Sequence, residues 1–279
     1  MTVNQSSGLF FEASGEKNSK TIVFLHGGGA AGWMWREQVK AFSPDYHVLV
    51  PDLPEQGRST NVGPYTTEAA AGLVAEMIQA QAHGGKAHLV GLSEGAQVTV
   101  ALLARTPEVV DHAVASSANM RPLPGSGMYT RGLMAASHRW FIEPLKNNDW
   151  WIRLNMKYSA GIPEEYYPDF KRSFQEATES STANMLYYGL NFRQPAGLEK
   201  ADVPVLVAVG KHEYKQMKQS GRDLLAVLPR AHGVTITIGL KSSLRGEHNW
   251  AMTAPDLFNK SVRAWIEDRP LPEELVPLK

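Results

Sequence analysis

Residues 87–95 read AHLVGLSEG, and this stretch decides the fold. Its first six residues form a short apolar run typical of a buried strand. The run leads directly into Gly91-Leu92-Ser93-Glu94-Gly95, and residues 95–105 are predicted to form a helix. A G-x-S-x-G between a strand and a helix lets the chain turn so sharply that the serine sits strained at the tip with its hydroxyl exposed. We therefore predict that Ser93 is a nucleophile at the end of a strand.

Similar apolar runs recur along the chain. We expect strands at residues 21–26, 47–52, 112–116 and 203–209, and an alternating strand at 233–239. Helices are expected at residues 33–42, 67–81, 217–228 and 256–267, in addition to 95–105. Alternation of near-continuously apolar strands with helices predicts an α/β fold with a doubly wound, mostly parallel sheet covered on both faces.

The segment of residues 120–197 has a different character. It lacks strand-like runs and is rich in aromatic residues and methionines. Two interpretations are open: helices packed against the sheet, or a helical cap whose apolar inner face lines a substrate pocket. We favour the cap. The predicted organisation is then a core of residues 1–119 and 198–279 with a cap of residues 120–197.

Composition excludes several classes of function. The 279 residues carry equal numbers of basic and acidic side chains, 28 each, so the basic face that nucleic acid requires is not expected. The absence of cysteine excludes disulfides, thiolate metal sites and a cysteine nucleophile. No apolar run has the length of a signal peptide or a membrane span. We expect a soluble, cytoplasmic protein that acts on a small molecule without a cofactor or metal; its oligomeric state is not readable.

Two further motifs carry the chemistry that a serine nucleophile needs. Residues 26–29 read HGGG at the end of the first buried strand, where flexible backbone can aim an N–H at an oxyanion. We predict that the backbone N–H groups of Gly28 and Glu94 form the oxyanion hole. Residues 246–250 read GEHNW between the last strand and the last helix, which makes His248 the candidate general base.

Together these motifs resemble the α/β-hydrolase fold family over nearly the whole chain. The matching stretches are LHGGGAAGWMW, VPDLPEQGRST, GLSEG, PVLVAVGKHE and GEHNW, in the family's order of nucleophile, acid and histidine. The resemblance is to the branch with a helical cap between the sixth and seventh strands. That branch contains esterases, lactonases and carbon–carbon bond hydrolases.

The resemblance also suggests the acid. The family usually carries it after the seventh strand in a G-x-x-D pattern, and here Gly210-Lys211-His212-Glu213 places a glutamate there. Glutamate can orient a histidine as aspartate does. Glu213 is therefore either the catalytic acid or a surface carboxylate. Some relatives carry the acid after the sixth strand instead, but residues 116–119 (SSAN) offer no carboxylate there, which favours Glu213 as the acid.

Other side chains are assigned to the substrate pocket or to one of two alternative roles. We expect Gly29, Trp250, Trp140 and Tyr187 to line the substrate pocket. The Glu94 side chain, acidic where the family commonly has neutral residues, either tunes the histidine or faces outward. Three arginines, at 121, 131 and 139, either meet a substrate carboxylate or are solvated, and solvation is the commoner outcome.

Other functions compete with this interpretation. One alternative is an NAD-binding oxidoreductase. The dinucleotide fingerprint G-x-G-x-x-G is satisfied by Gly27, Gly29 and Gly32, and the next strand ends at Asp52, where an acid that binds the ribose is expected. A ligand receptor on the hydrolase scaffold is a second alternative. A zinc protease fails because Gln216 stands where H-E-x-x-H needs its second histidine. Dehalogenases and epoxide hydrolases need a carboxylate nucleophile in place of Ser93. The sequence favours a Ser93–His248–Glu213 hydrolase that forms an acyl-enzyme, and it does not separate esters from lactones or vinylogous diketones.

Overall fold

A computed structural model describes residues 2–6, 8–122, 125–239 and 242–279 of the chain. Within these ranges the strands form one sheet in the order β1-β2-β4-β3-β5-β6-β7-β8-β9. The strands are β1 Thr2–Ser6, β2 Leu9–Ser14, β3 Thr21–Leu25, β4 His47–Pro51, β5 Ala87–Leu92, β6 Val110–Ser116, β7 Val205–Gly210, β8 Ala231–Ile236 and β9 Val276–Pro277. The predicted doubly wound, mostly parallel sheet is confirmed.

The parallel part of the sheet runs from β4 through β3 to β8. Strands β1 and β2 and the short β9 add antiparallel edges. The sequence prediction missed these three edge strands because they are joined without an intervening helix or are only a few residues long. The predicted central strands differ from the observed ones by a few residues at their ends, as expected for element boundaries.

Helices cover both faces of the sheet. They are α1 Arg36–Phe42, α2 Thr67–Gln81, α3 Glu94–Arg105, α4 Arg131–Ser137, α5 Asp149–Asn155, α6 Tyr167–Glu176, α7 Glu179–Asn191, α8 Lys215–Val227, α9 Leu244–His248, α10 Trp250–Thr253 and α11 Pro255–Ile266. The helix predicted at residues 33–42 is split into a 3₁₀ turn, Gly32–Trp35, followed by α1. None of the helices in the described ranges has the length and apolar composition needed to cross a membrane.

Each central strand contributes side chains to two separate cores. In β3, Val23 and Leu25 pack into the core beneath α2 and α3. Ile22 and Phe24, the alternate residues, pack into the core beneath α1 and α11. A strand that is buried on both faces has no polar side to show, which explains the near-continuous apolar runs in the sequence.

The segment between β6 and β7 is helical throughout its described secondary structure. It contains α4 to α7 with short 3₁₀ and π-helical turns between them. A small cluster of Ile152, Met156 and Phe170 forms its own apolar centre. The Trp33 Nε1–H donates to Ser173 Oγ at 2.9 Å and ties the segment to the loop after β3. The predicted core and cap ranges also include residues 1, 7, 123, 124, 240 and 241, which lie outside the described residues.

The turn from β5 into α3 depends on two glycines that lie against backbone. A Cβ added at Gly91 would lie 2.2 Å from the carbonyl oxygen of Gly95. A Cβ added at Gly95 would lie 2.2 Å from the carbonyl oxygen of Leu25 in β3. Backbone oxygens cannot move aside as a side chain can, so helix α3 reaches this position only because both residues lack a Cβ.

We predict that Gly91→Ala destabilises the protein by about 1–3 kcal/mol, because the added methyl overpacks the turn. Gly72→Ala is the matched control, since Gly72 lies in α2 with open space around it. That change should stabilise the protein by about 0.5–1 kcal/mol through helix propensity. Urea unfolding of both variants measures the difference. Equal stability of the Gly91 variant and the wild type would show that the turn tolerates a side chain.

Candidate active site

Ser93 lies at the tip of the turn in a strained conformation. Its φ and ψ are 57° and −112°, a region that non-glycine residues rarely occupy. The Ser93 N–H donates to the Ser116 carbonyl at 2.9 Å, which fastens the turn to the end of β6. Helix α3 begins at the next residue, so its first backbone N–H groups lack partners inside the helix. The strain places the Ser93 side chain in the wall of a cavity.

The glycine loop after β3 approaches this turn closely. A Cβ at Gly27 would lie 3.6 Å from Ser93 Cβ, and one at Gly28 would lie 3.3 Å from Glu94 Oε2. Within the described residues, no protein acceptor takes the Gly28 N–H. The loop and the start of α3 therefore lie close to each other beside the nucleophile. The assignment of the Gly28 and Glu94 N–H groups to an oxyanion hole stays a prediction.

His26 holds the glycine loop from beneath. Its Nε2 accepts the Leu53 N–H at 2.9 Å, and its Nδ1 lies 2.8 Å from the Gly27 carbonyl oxygen. Because Nε2 is the acceptor, Nδ1 carries the proton and donates to Gly27. Burial lowers the pKa of His26, which keeps the ring neutral and preserves this pattern.

The His248 ring is held by a buried carboxylate. Its Nδ1 lies 2.6 Å from Glu213 Oε1, and Glu213 Oε2 accepts the Gly210 N–H at 3.1 Å. Glu213 is only 3% exposed, so the alternative of a surface carboxylate is wrong. His248 ends α9, after β8, while Glu213 follows β7; the sequence predicted both of these locations. A hydrogen bond at Nδ1 leaves Nε2 as the nitrogen available for proton transfer.

A second histidine–glutamate pair crosses the first. His212 Nδ1 lies 2.9 Å from Glu247 Oε1, and the His212 backbone N–H donates to Glu247 Oε2 at 2.7 Å. Each of the two loops thus contributes one acid and one histidine. The His212 side chain is about half exposed, whereas that of His248 is 23% exposed. Neither ring belongs to the lining of the cavity beside Ser93. The two pairs provide an internal comparison of a candidate catalytic pair with a structural one.

Ser116 connects the nucleophile to the histidine loop. Its carbonyl accepts the Ser93 N–H, and its Oγ accepts the Trp250 Nε1–H at 2.9 Å, two residues beyond His248. In the described part of the chain no hydrogen bond joins Ser93 Oγ to the His248 ring. Catalytic hydrogen bonds are often loose before substrate binds and tighten in the complex.

The Glu94 side chain points inward, so the alternative that it faces outward is wrong. It is 5% exposed, and its Oε2 accepts the Gln56 Nε2–H at 2.8 Å. Burial raises the pKa of Glu94 to about 7, while the Gln56 hydrogen bond and the nearby Tyr65 hydroxyl partly oppose this rise. In the part of the chain that the structure describes, no hydrogen bond or ion pair joins the Glu94 carboxyl group to the His248 ring.

The cavity beside Ser93 has a volume of about 570 Å³. Its apolar wall comes from one face of α7 and from the start of α8, and its polar wall comes from the strand ends. It is lined by Gly28, Ser93, Glu94, Gln97, Ser117, Asn119, Met185, Leu186, Gly189, Leu190, Tyr214, Gln216 and Met217. Such a cavity has the size and composition typical of a small-molecule site.

Three predicted pocket residues lie elsewhere, and those predictions are wrong. Trp250 is fully buried and packs against Phe258 in the core under α11. Trp140 is 72% exposed on the outside of the helical segment. Tyr187 lies in α7, between the cavity-lining Leu186 and Gly189, and its ring contacts Tyr188. Aromatic composition suggested a pocket wall, but it does not distinguish rings that line a pocket from rings that pack in the core or face solvent.

Gly29 lies at the margin of this site. It lines a separate cavity of about 40 Å³ with Glu55 and Gln56, and its N–H donates to Gln56 Oε1 at 2.8 Å. The sequence pattern assigned no role to Gln56 or Met185. Gln56 lies in the matching stretch VPDLPEQGRST, but at a position where the family pattern specifies no residue type.

The arginines at positions 121, 131 and 139 do not line the cavity beside Ser93. Arg121 makes a two-bond ion pair with Asp223 on the surface, and Arg139 makes one with Glu179. Arg131 is exposed and does not line the cavity beside Ser93. These side chains are therefore not placed to bind a substrate carboxylate there.

The dinucleotide interpretation also loses its acid. Asp52 is buried and accepts the backbone N–H groups of Gly32 at 2.7 Å and Arg58 at 2.8 Å. Its two carboxylate oxygens hold the loops on either side of β4, which leaves no group free to bind a ribose. The glycines of residues 27–32 shape the loop beside Ser93 instead.

Comparisons with known proteins agree with this geometry. Residues 22–265 match the alpha/beta hydrolase family. A hydrolase superfamily protein of Gibberella zeae is 30% identical over 118 residues, which is 42% of this chain and 42% of that protein. A carboxylesterase of Bacillus subtilis is 25% identical over an alignment that covers 91% of this chain and 82% of that protein.

A solved structure shares the fold. The enol-lactonase of Burkholderia xenovorans superposes with a TM-score of 0.72 at 21% identity, covering 95% of this chain and 100% of that one. The residues that match the family, 22–265, extend from β3 into α11. They therefore include the glycine loop, the turn at Ser93 and the segment that carries His248. The chain belongs to the alpha/beta hydrolase family and is a hydrolase.

Proposed function

We propose that the protein is a serine hydrolase that cleaves an ester, or a closely related acyl bond, of a small apolar substrate through an acyl-enzyme. The observation that carries the proposal is the 2.6 Å contact between His248 Nδ1 and the buried Glu213 Oε1. Both residues follow strands that run parallel to β5, so they leave the same end of the sheet as the half-buried Ser93. A buried carboxylate that orients a histidine is the arrangement that activates a serine hydroxyl.

Acylation begins with transfer of the Ser93 Oγ proton to His248 Nε2. The serine oxygen attacks the acyl carbon, and the carbonyl oxygen becomes an oxyanion that the N–H groups of Gly28 and Glu94 stabilise. Glu213 stabilises the imidazolium that forms. The carbon–oxygen bond to the leaving group then breaks, and His248 gives its proton to the departing alcohol.

Deacylation repeats these steps with water. His248 removes a proton from a water molecule, and the hydroxide attacks the acyl carbon attached to Ser93. The second oxyanion occupies the same two N–H groups. Its collapse breaks the bond to Ser93 Oγ, which regains a proton from His248, and a carboxylic acid leaves.

The cavity suggests the kind of substrate. Met185, Leu186, Leu190 and Met217 supply an apolar wall, while Gln97 and Asn119 are polar. The segment that contains α7 acts as the cap of this site, with residues 120–197 as its bounds. Carboxylesterase activity in the Bacillus subtilis relative supports the choice of an ester. We propose a neutral, moderately apolar ester, because the ion-paired arginines leave this cavity without a cationic side chain in its lining.

We predict that Ser93→Ala lowers kcat by roughly 10⁴–10⁶-fold, since it removes the nucleophile but leaves the binding groups. Hydrolysis of p-nitrophenyl acetate and butyrate measures the loss, and labelling by a fluorophosphonate should disappear with it. Wild-type turnover by the variant would refute the proposal. Labelling of the wild type without turnover of any ester would favour a ligand receptor.

Glu213→Gln should lower kcat by roughly 10²–10⁴-fold, because the amide cannot stabilise the imidazolium. His212→Gln is the matched control, since it alters the adjacent residue and breaks only the crossing pair with Glu247. We expect that control to keep kcat within about threefold of the wild type. Thermal unfolding of both variants checks that they are folded. A Glu213 variant with unchanged kcat would place the catalytic acid elsewhere.

A further inference from the structure

A chain of hydrogen bonds connects the Glu94 carboxyl group to the glycine loop. Gln56 Nε2–H donates to Glu94 Oε2 at 2.8 Å, and Gln56 Oε1 accepts the Gly29 N–H at 2.8 Å. Glu94 and Gly28 supply the two N–H groups of the proposed oxyanion hole. One buried glutamine, 8% exposed, therefore joins the two halves of that hole through side-chain and backbone contacts.

The Glu94 carboxyl is also poorly solvated. Its Oε1 is buried without a hydrogen-bond partner in the described structure, and so is the Tyr65 hydroxyl. Among the residues that the structure describes, the side chains that act on the Glu94 charge are those of Gln56 and Tyr65, and neither is cationic. A buried carboxylate that lacks a compensating cation is costly, and such a group tends to become neutral.

The groups that face Glu94 come from three elements. The loop between β4 and α2 supplies Gln56 and Tyr65, of which only Tyr65 is titratable. The glycine loop supplies backbone, and α7 supplies the Met185 thioether, 3.0 Å from the position of a Cβ on Gly28. Burial and the Glu94 charge raise the pKa of Tyr65 well above its usual value, so the phenol stays neutral, and Glu68 acts on that phenol from α2.

We propose that Glu94 is a positioning residue that must be protonated for full activity: it holds the oxyanion hole together through Gln56, and its ionisation opposes the oxyanion. The proposal rests on the serine hydrolase mechanism above. The two roles respond differently to pH. Glu94 Oε2 accepts the Gln56 hydrogen bond in either state, so the link to Gly29 survives ionisation. Ionisation of Glu94 adds a negative charge beside the proposed oxyanion hole, where the transition state develops negative charge on the carbonyl oxygen.

This charge predicts an unusual alkaline limb. A serine hydrolase gains activity as its histidine loses a proton, and no group of the triad requires the rate to fall just above neutrality. Here burial among Gln56, Tyr65 and the glycine loop raises the pKa of Glu94 to about 7. One pH unit above a pKa only about a tenth of the group remains protonated, so kcat/KM should fall about tenfold per unit on the alkaline side.

The test is the pH profile of kcat/KM between pH 5.5 and pH 9 for the wild type and Glu94→Gln. Glutamine keeps an oxygen for Gln56 and has no charge to gain. We expect the wild type to decline from near pH 7 and Glu94→Gln to stay level to pH 9, exceeding the wild type about tenfold or more at high pH. Glu94→Leu removes the acceptor for Gln56 and should lower kcat at every pH, with no alkaline limb.

Glu68→Gln is the matched control, because Glu68 lies in the first turn of α2 near Tyr65 and is exposed. Its profile should retain the alkaline limb. A limb that persists in Glu94→Gln, or a wild type that stays level to pH 9, would overturn the proposal. Ser93→Ala is assayed in parallel: if it loses activity while the Glu94 profiles coincide, only this inference fails, whereas an active Ser93→Ala removes the proposed function itself.

A stability measurement gives a readout besides activity. The folded pKa of Glu94 lies above its ordinary value of 4.5, so between about pH 4.5 and 7 the unfolded state binds fewer protons than the folded state. Stability contributed by Glu94 should therefore fall as pH rises through that window. The urea midpoint of the wild type should decline relative to Glu94→Gln over this range and then run parallel to it. Parallel midpoints throughout would show that Glu94 ionises normally.

Discussion

The close packing of backbone against backbone at the turn from β5 into α3 is the constraint on which the site depends. The carbonyl oxygens of Gly95 and Leu25 occupy the space that side chains would need at Gly91 and Gly95. That contact brings the start of α3 against the end of β3, and Ser93, between the two glycines, has a positive φ. The strained serine and the glycine loop are thus consequences of one close approach, stabilised by the two cores on either side of the sheet.

The parallel strands bring the nucleophile, the acid and the histidine to the same end of the sheet. Strands β5, β7 and β8 run in one direction, so the loops after them, which carry Ser93, Glu213 and His248, leave from one end. Side chains that are distant in sequence need only short loops to meet there. Ser116, at the end of the intervening β6, contacts both the Ser93 turn and the Trp250 ring.

Much of this was predictable because it is written in local pattern. Apolar runs and glycine spacing predicted the central strands, the turn at Ser93 and the location of His248, and the family's order of residues suggested Glu213. Features that arise from tertiary packing were not predictable. The burial of Trp250 depends on α11, and the linkage of Gly29 to Glu94 depends on Gln56, a residue to which the sequence pattern assigned no role. The edge strands were missed because β1 and β2 are joined without a helix and β9 has only two residues.

The most direct test of the account is a crystal structure of the protein after reaction with a fluorophosphonate, which mimics the tetrahedral intermediate. The account predicts phosphorus bonded to Ser93 Oγ, with its phosphoryl oxygen about 2.7–3.1 Å from the backbone nitrogens of Gly28 and Glu94. It also predicts that His248 Nε2 lies within hydrogen-bond distance of the adduct. Phosphorus on another side chain, or an adduct at Ser93 whose oxygen points away from both nitrogens, would contradict it.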